Sequence, residues 1–210
     1  SASRNLGVAH PSAGALSYAL LKELASRLGP QDRIALVAYG SSVTTVLDVT
    51  VGGDPKIVAA IDSLREAGST NMEAGLRRAY ALAAAAKGNG TQQVRVMLFT
   101  DENPNVGATG TTEFSQMVAA GAEAGTGITV FGMGLGLRAD LFAAMSHFRG
   151  GNAFSLSRAE DVGALMADSW PWMVSPLAYD LKLNLTAGAG FKIANSYGFP
   201  GAKDAAQLEV

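Results

Sequence analysis

The sequence contains no cysteine and only two histidines, His10 and His147, among its 210 residues. Without cysteine, the chain can form neither a disulfide framework nor a thiolate metal site. With so few histidines, a catalytic triad or a metal site built on imidazoles is not expected. This leaves carboxylate, amide and hydroxyl side chains as the candidates for chemistry.

The chain also lacks an excess of one charge and a long hydrophobic run. Lys and Arg total 16 and Asp and Glu total 18, a formal net charge of -2, which argues against a nucleic-acid-binding surface. No apolar run approaches the ~18 residues of a membrane span, and the first residues lack the basic start and apolar core of a secretory signal. The hydrophobic content of 48% excludes a disordered chain. A length of 210 residues predicts one domain with a small additional piece.

Apolar periodicity predicts alternating helices and strands. The continuous apolar run 34–39 is typical of a strand that is buried on both faces, and 94–99 is predicted to be a second strand of this kind. The β-branched run 43–49 follows the first so closely that it can only be an antiparallel neighbour. Further strands are predicted at 128–133 and 152–157, and helices are predicted at 15–28, 55–66, 71–87, 112–124, 140–149 and 159–173. This order predicts a three-layer, doubly wound α/β domain over residues 1–174, with a mostly parallel sheet and one antiparallel edge strand.

Residues 175–210 have a different pattern. Leu181, Leu183 and Leu185 alternate with polar residues, as in a strand with one solvent-exposed face. The segment 187–190 is Gly-rich and predicts a turn, and residues 191–194 are predicted to be the returning strand. A two-stranded hairpin is marginally stable alone. We therefore expect a short C-terminal β segment that begins a small β module or docks as a hairpin.

Two polar clusters stand where ligands bind in open α/β sheets, at the carboxyl ends of strands. Asp101 directly follows the strand 94–99, and its carboxylate could bind a hard cation. The alternative is that Asp101 and Asn103 form a turn through their own backbone. Thr70 precedes a predicted helix and fits a capping box with Glu73. A capping Thr70 could still offer an oxygen lone pair to a ligand, so both interpretations stay open.

The order and spacing of three segments resemble the von Willebrand factor type A domain, of the bacterial kind with flanking β segments. The resemblance runs from about Leu16 to Met173. It rests on the segment GPQDRIALV at 29–37, on AGSTN at 67–71 before a helix, and on LFTD at 98–101 at the end of a strand.

The resemblance implies a metal-ion-dependent adhesion site (MIDAS). In this family the site combines an Asp-x-Ser-x-Ser turn with a later Thr and a later Asp, which correspond here to Thr70 and Asp101. Ser1 and Ser3 correspond to the two serines of the turn. Glu102 stands where the family usually has Gly, so its carboxylate could bind the ion or occupy the place of a partner's carboxylate. The implied cofactor is Mg²⁺, or alternatively Mn²⁺ or Ca²⁺.

The leading functional hypothesis is a non-catalytic module that binds a carboxylate of an unknown partner protein through the metal ion. One alternative is a scaffold with a degenerate site that binds its partner without metal. A remote alternative is a Mg²⁺-dependent hydrolase with Asp101 as nucleophile. It is disfavoured because Lys87, the nearest preceding lysine, is placed at the far end of its helix. The resemblance slightly favours a cell-envelope or extracellular location.

Two geometric expectations follow from the resemblance. Thr70 and Asp101 should lie together at the carboxyl edge, with side-chain oxygens no more than about 8 Å apart, and Glu102 should point towards the site. In the family the first strand lies between the strands predicted here at 34–39 and 94–99. Because nothing before Leu16 has a strand pattern, we also predict that this central strand precedes Ser1 in the natural protein.

Overall fold

The structure is a computed structural model that describes residues 13–65, 71–87, 92–101, 113–133, 144–145, 147–174, 183–195, 203–205 and 207–209. The chain divides into two compact units, Ser1–Pro176 and Leu177–Val210. The helices and strands of residues 13–174 belong to the first unit and the strands of residues 184–209 to the second, while the predicted domain boundary at residue 174 stays a prediction.

The α/β unit follows the predicted order of elements. Its helices are α1 (Ala13–Arg27), α2 (Pro55–Ser63), α3 (Met72–Ala86), α4 (Glu113–Glu123) and α5 (Glu160–Val174). Its strands are β1 (Arg33–Tyr39), β2 (Val43–Val51), β3 (Val94–Thr100), β4 (Thr126–Met133) and β5 (Gly151–Leu156). Of the predicted helix 140–149, Ala144 and Met145 are helical and 147–149 form turns, while the other residues lie outside the described ones.

The strands form one antiparallel and one parallel ladder. β1 pairs antiparallel with β2, with Tyr39 opposite Val43, and β3, β4 and β5 pair parallel in that order. The predicted α/β fold with a parallel sheet and one antiparallel pair is therefore confirmed. Within the residues that the structure describes, β1 and β3 do not pair with each other. The central strand that we expect between them stays a prediction.

Helices cover both faces of the parallel ladder because its strands are apolar on both sides. Val96 and Leu98 of β3 pack in one core with residues of α3 and α4. The alternate residues Met97 and Phe99 pack against the opposite core, which is formed with α1 and α5. All eight residues of β4 are buried, and the ring of Phe131 at its centre stacks on Phe99, with centroids 5.0 Å apart. This doubly covered arrangement explains why β3 has apolar residues on both faces from Val96 to Phe99.

At the amino edge of the sheet, cationic side chains bind backbone carbonyls. Arg33 Nη2 donates to the carbonyl of Ala86 (3.1 Å), the last residue of α3. Lys87 Nζ donates to the carbonyl of Ala124, directly after α4. Arg95 Nη1 lies 3.0 Å from carbonyl oxygens of β4 and of the residue before β5. Arg33 and Lys87 thus stabilise helix carboxyl ends, and Arg95 links β3 to the starts of β4 and β5, so these three side chains have a structural role.

The described residues of the second unit form the short strands β6 (Asn184–Thr186), β7 (Ile193–Asn195), β8 (Lys203–Ala205) and β9 (Gln207–Glu209). β6 pairs antiparallel with β9, and β7 pairs antiparallel with β8. The prediction that 191–194 returns along 179–186 is therefore wrong in its pairing. Alternation within a strand predicts which face is solvent-exposed, but it does not indicate which later segment pairs with that strand.

A tight turn interrupts this unit between β6 and β7. The amide of Phe191 donates to the carbonyl of Gly188 (3.0 Å), and Gly190 has φ of 83°. Only glycine adopts that conformation without strain. The turn leaves the Phe191 side chain 76% exposed. Among the described residues, no helix of either unit is long and apolar enough to cross a membrane.

Candidate metal site

The carboxyl ends of β1 and β3 are joined by a side chain. The hydroxyl of Tyr39, the last residue of β1, donates a hydrogen bond to the carbonyl of Phe99 in β3. Thr100, which follows, is buried, and Asp101 directly after it is exposed at the end of the strand. The carboxylate predicted as a ligand therefore lies on the carboxyl edge and is open to solvent.

The start of α3 lies at this same edge. The amide of Asn71 donates to the carbonyl of Gly40 (3.1 Å), the residue that follows Tyr39. Asn71 is also the helix N-cap, since its Oδ1 accepts from the amide of Ala74 (3.1 Å). The end of β1 thus contacts both the segment that carries Asp101 and the residue beside Thr70.

The capping box predicted from Thr70 and Glu73 is wrong. With Asn71 as cap, the third helical residue is Ala74, so Glu73 stands one position too early to complete the box. An asparagine is as good a cap as a threonine, and the two candidates are adjacent, which is why the pattern misplaced the cap by one residue.

The carboxyl group of Glu73 instead lies beside that of Glu113. These residues occupy the first turns of α3 and α4. The hydrogen bond to Glu113 and the repulsion of its charge raise the pKa of Glu73 above its ordinary value, although Arg77 opposes the shift. Arg77 also lies 3.8 Å from the Glu113 carboxylate. Two helix N-termini with acidic side chains therefore face each other at this edge.

Asp101 is the one predicted ligand that the structure describes. Ser1, Ser3, Thr70 and Glu102 lie outside the described residues, so the separation of Thr70 from Asp101 and the direction of Glu102 stay predictions. Among the described residues, no group of three or more His, Asp and Glu side chains could hold a metal ion by itself. The predicted donor set, one or two carboxylates with several hydroxyls, does not require such a group. An exposed carboxylate at the strand end fits the role assigned to Asp101.

Sequence reasoning missed Tyr39, Asn71 and Gly75 as parts of this edge. Asn71 could have been found, because it immediately precedes a helical pattern and is a preferred cap. Tyr39 and Gly75 carry no local signal, since their importance comes from contacts between distant segments. Lys87 lies at the carboxyl end of α3, as predicted, and its bond to Ala124 is at the opposite edge from Asp101.

Comparison with known proteins adds sequence and structural relatives. Residues 1–103 match the family model of the von Willebrand factor type A domain. Over 115 residues, the chain is 38% identical to the uncharacterized protein YfbK of Escherichia coli (strain K12). The aligned region covers 54% of this chain and 20% of that protein. The chain thus spans about a fifth of the length of this relative.

Solved structures share the fold of this chain. Proximal thread matrix protein 1 from the mussel byssus superposes with a TM-score of 0.58 at 17% identity, over 83% of this chain and 44% of that chain. Another structure of the same mussel protein, with a zinc-occupied MIDAS motif, gives a TM-score of 0.56 at 16% identity, with the same coverage. A von Willebrand factor type A protein from Catenulispora acidiphila gives a TM-score of 0.55 at 15% identity, over 74% of this chain and 38% of that chain. At these identities the likeness shows the fold alone.

Proposed function

Because residues 1–103 match the family model of the von Willebrand factor type A domain, we propose that the chain is a non-catalytic protein-binding module with a divalent cation at the carboxyl edge of its sheet. The observation that supports the proposal most strongly is a pair of hydrogen bonds at the end of β1. Tyr39 bonds to the segment that ends in Asp101, and Gly40 bonds to the residue beside Thr70. The two segments expected to supply ligands are therefore both hydrogen-bonded to the end of β1.

The donor set determines what such a site can do. Asp101 would supply a carboxylate, and Thr70, Ser1 and Ser3 would supply hydroxyls. Oxygen donors of this kind suit Mg²⁺, which takes about six oxygens, as well as Mn²⁺ and Ca²⁺. A bound cation would supply positive charge at an open coordination position, because one carboxylate neutralises only half of it. A carboxylate of a partner protein has the charge and the geometry to fill that position.

Glu102 makes this site different from the usual family pattern. Its carboxylate would add a second negative charge beside Asp101. We propose that it competes with the partner's carboxylate, so that Glu102→Gly strengthens carboxylate binding and weakens cation binding. The resemblance to the family also supports a proposed location in the cell envelope or outside the cell.

Calorimetric titration of the full-length natural polypeptide that carries this chain tests the proposal. Mg²⁺, Mn²⁺, Ca²⁺ and Zn²⁺ are titrated separately, with zinc included because the mussel protein holds it in its MIDAS motif. We expect saturable binding at one site, with its loss in Asp101→Asn and Thr70→Ala. The matched control is Asp168→Asn, which removes an exposed carboxylate from α5 and should bind as the natural protein does.

A second arm tests the carboxylate ligand. Acetate is titrated into the protein with Mg²⁺ or with a chelator, and backbone amide shifts are followed by nuclear magnetic resonance. Shifts at Asp101 that need Mg²⁺ support the proposal. Absence of cation binding contradicts it and favours the degenerate scaffold, and phosphatase turnover that is lost in Asp101→Asn favours the hydrolase.

A further inference from the structure

Tyr39 occupies a position that no pattern in the sequence singles out. It ends β1, and its half-buried ring packs against the core that lies between the sheet and helices α3 and α4. Its hydroxyl reaches across to β3 and donates to the carbonyl of Phe99, 60 positions later in the chain. That carbonyl belongs to the peptide group shared with Thr100, one residue before Asp101.

The ring is held in place by a close approach of α3. A Cβ atom built on Gly75 would lie 2.6 Å from Tyr39 Cβ and 2.8 Å from Tyr39 Cγ. Only a residue without a side chain fits there, because real Cβ atoms do not approach other carbons so closely. The first turn of α3 therefore packs directly against Cβ and Cγ of Tyr39.

The backbone beside Tyr39 adds a second connection to α3. The carbonyl of Gly40 accepts from the amide of Asn71 (3.1 Å), and the carbonyl of Asn71 accepts from the amide of Gly75 (3.2 Å). Tyr39 and its neighbour thus contact α3 through Gly75 and Asn71, and contact β3 through Phe99. These are the two elements whose ends should carry Thr70 and Asp101.

We infer that Tyr39 is a positioning residue that sets the separation between the amino end of α3 and the Asp101 end of β3, and thereby the cation affinity of the edge. The inference rests on the proposed metal site, because it concerns the spacing of that site's ligands. Metal affinity depends on outer contacts that hold the ligands in place. The Tyr39 hydroxyl acts through the backbone rather than on a ligand directly, so its removal should weaken affinity and leave the site present.

The chain offers a matched control for the loss of a tyrosine hydroxyl. Tyr80 also lies in the core between α3 and α4, but its buried hydroxyl has no hydrogen-bond partner in the part of the chain that the structure describes. Tyr80→Phe therefore removes the same atom as Tyr39→Phe from the same core without breaking a bond between strand ends.

The experiment compares Tyr39→Phe, Tyr80→Phe and Asp101→Asn in the full-length natural polypeptide by calorimetric titration with Mn²⁺. We expect Asp101→Asn to abolish binding, Tyr39→Phe to weaken it about threefold to tenfold, as the loss of one hydrogen bond predicts, and Tyr80→Phe to leave it unchanged. Amide shifts in the absence of metal provide a second readout. Tyr39→Phe should move the Thr100 and Asp101 resonances, and Tyr80→Phe should not.

The outcomes separate the two proposals. If the natural protein and Tyr80→Phe bind Mn²⁺ and Tyr39→Phe binds it equally well, the role of Tyr39 is overturned while the metal site stands. If Tyr80→Phe weakens binding as much as Tyr39→Phe, a general loosening of the core explains both, and the positioning role is also overturned. If the natural protein binds no divalent cation, both proposals fail together. If Tyr39→Phe does not fold well enough to titrate, Gly75→Ala displaces the same ring, and unchanged affinity in that variant overturns the role.

Discussion

Replacing Gly75 by alanine should destabilise the protein, although helix propensity predicts the opposite. Gly75 lies inside α3 and is buried. In an exposed helix interior, alanine is more favourable than glycine by about 1 kcal/mol. Here the added methyl group would lie 2.6 Å from Tyr39 Cβ and 2.8 Å from Tyr39 Cγ. The packing effect therefore lowers the free energy of unfolding, whereas the helix propensity raises it.

The packing effect should be the larger one. The added methyl group would contact Cβ and Cγ of Tyr39. These atoms lie next to the backbone, so the movement of a flexible side-chain end cannot relieve the contact. Overpacking of a filled core costs about 1–3 kcal/mol, and a contact this short belongs at the upper end of that range. After subtraction of the gain in propensity, we expect a net loss of about 1–2 kcal/mol in the free energy of unfolding. A domain of this size loses about 2–4 °C in its thermal midpoint for each kcal/mol.

The control for this prediction is a second helical glycine. Gly163 lies in α5, and a Cβ built on it has nothing within 4 Å. Gly163→Ala should therefore stabilise by about 0.5–1 kcal/mol through propensity and the unfolded chain. Urea unfolding of both variants gives the comparison. A Gly75→Ala protein as stable as the natural one, or more stable, would show that α3 can move away from Tyr39 and would contradict the expected clash.

Two further predictions concern Tyr80 and Glu73. Tyr80→Phe should raise the urea midpoint, because a buried hydroxyl without a partner in the described structure costs about 1–3 kcal/mol, and a lower midpoint would mean that this hydroxyl is satisfied. The hydrogen bond of Glu73 to Glu113 and the charge of Glu113 raise the pKa of Glu73. The stability that Glu73 contributes is therefore present below its pKa in the unfolded chain and is lost as the pH rises through its pKa in the folded protein. Glu73→Gln should therefore gain thermal midpoint over the natural protein at pH 7 and gain less at pH 4, at low salt, whereas an equal or larger gain at pH 4 would contradict this assignment.

The order of elements in the α/β unit could be predicted because each buried segment has a pattern of its own. Residues 96–99 are apolar on both faces, and the structure covers them with α3 and α4 on one side and with α1 and α5 on the other. The leucines of α1 repeat at helical spacing, and Leu16, Leu20 and Leu24 are buried as that spacing requires. Local periodicity is enough for such elements, because burial of one face or of both is a property of the segment itself.

The contacts that build the candidate site could not be predicted in this way. Asp101 was found because it ends a buried strand, which is a local feature. The bond from Tyr39 to Phe99 and the close approach of Gly75 to Tyr39 join segments that are far apart in sequence. The pairing of β6 with β9 is of the same kind. A single sequence states which residues are apolar or polar, but it does not state which distant segments meet.

Paramagnetic broadening by Mn²⁺ shows directly whether a cation binds at the carboxyl edge of the sheet. Mn²⁺ is added in substoichiometric amounts to the full-length natural polypeptide, and backbone amide signals are recorded. We expect the signals of Gly40, Asn71 and Asp101 to broaden first, while those of Gly125 and Gly151 at the amino edge stay sharp. Equal broadening at both edges, or none at Asp101 under conditions in which Mn²⁺ is bound, would show that the cation does not bind at the carboxyl edge.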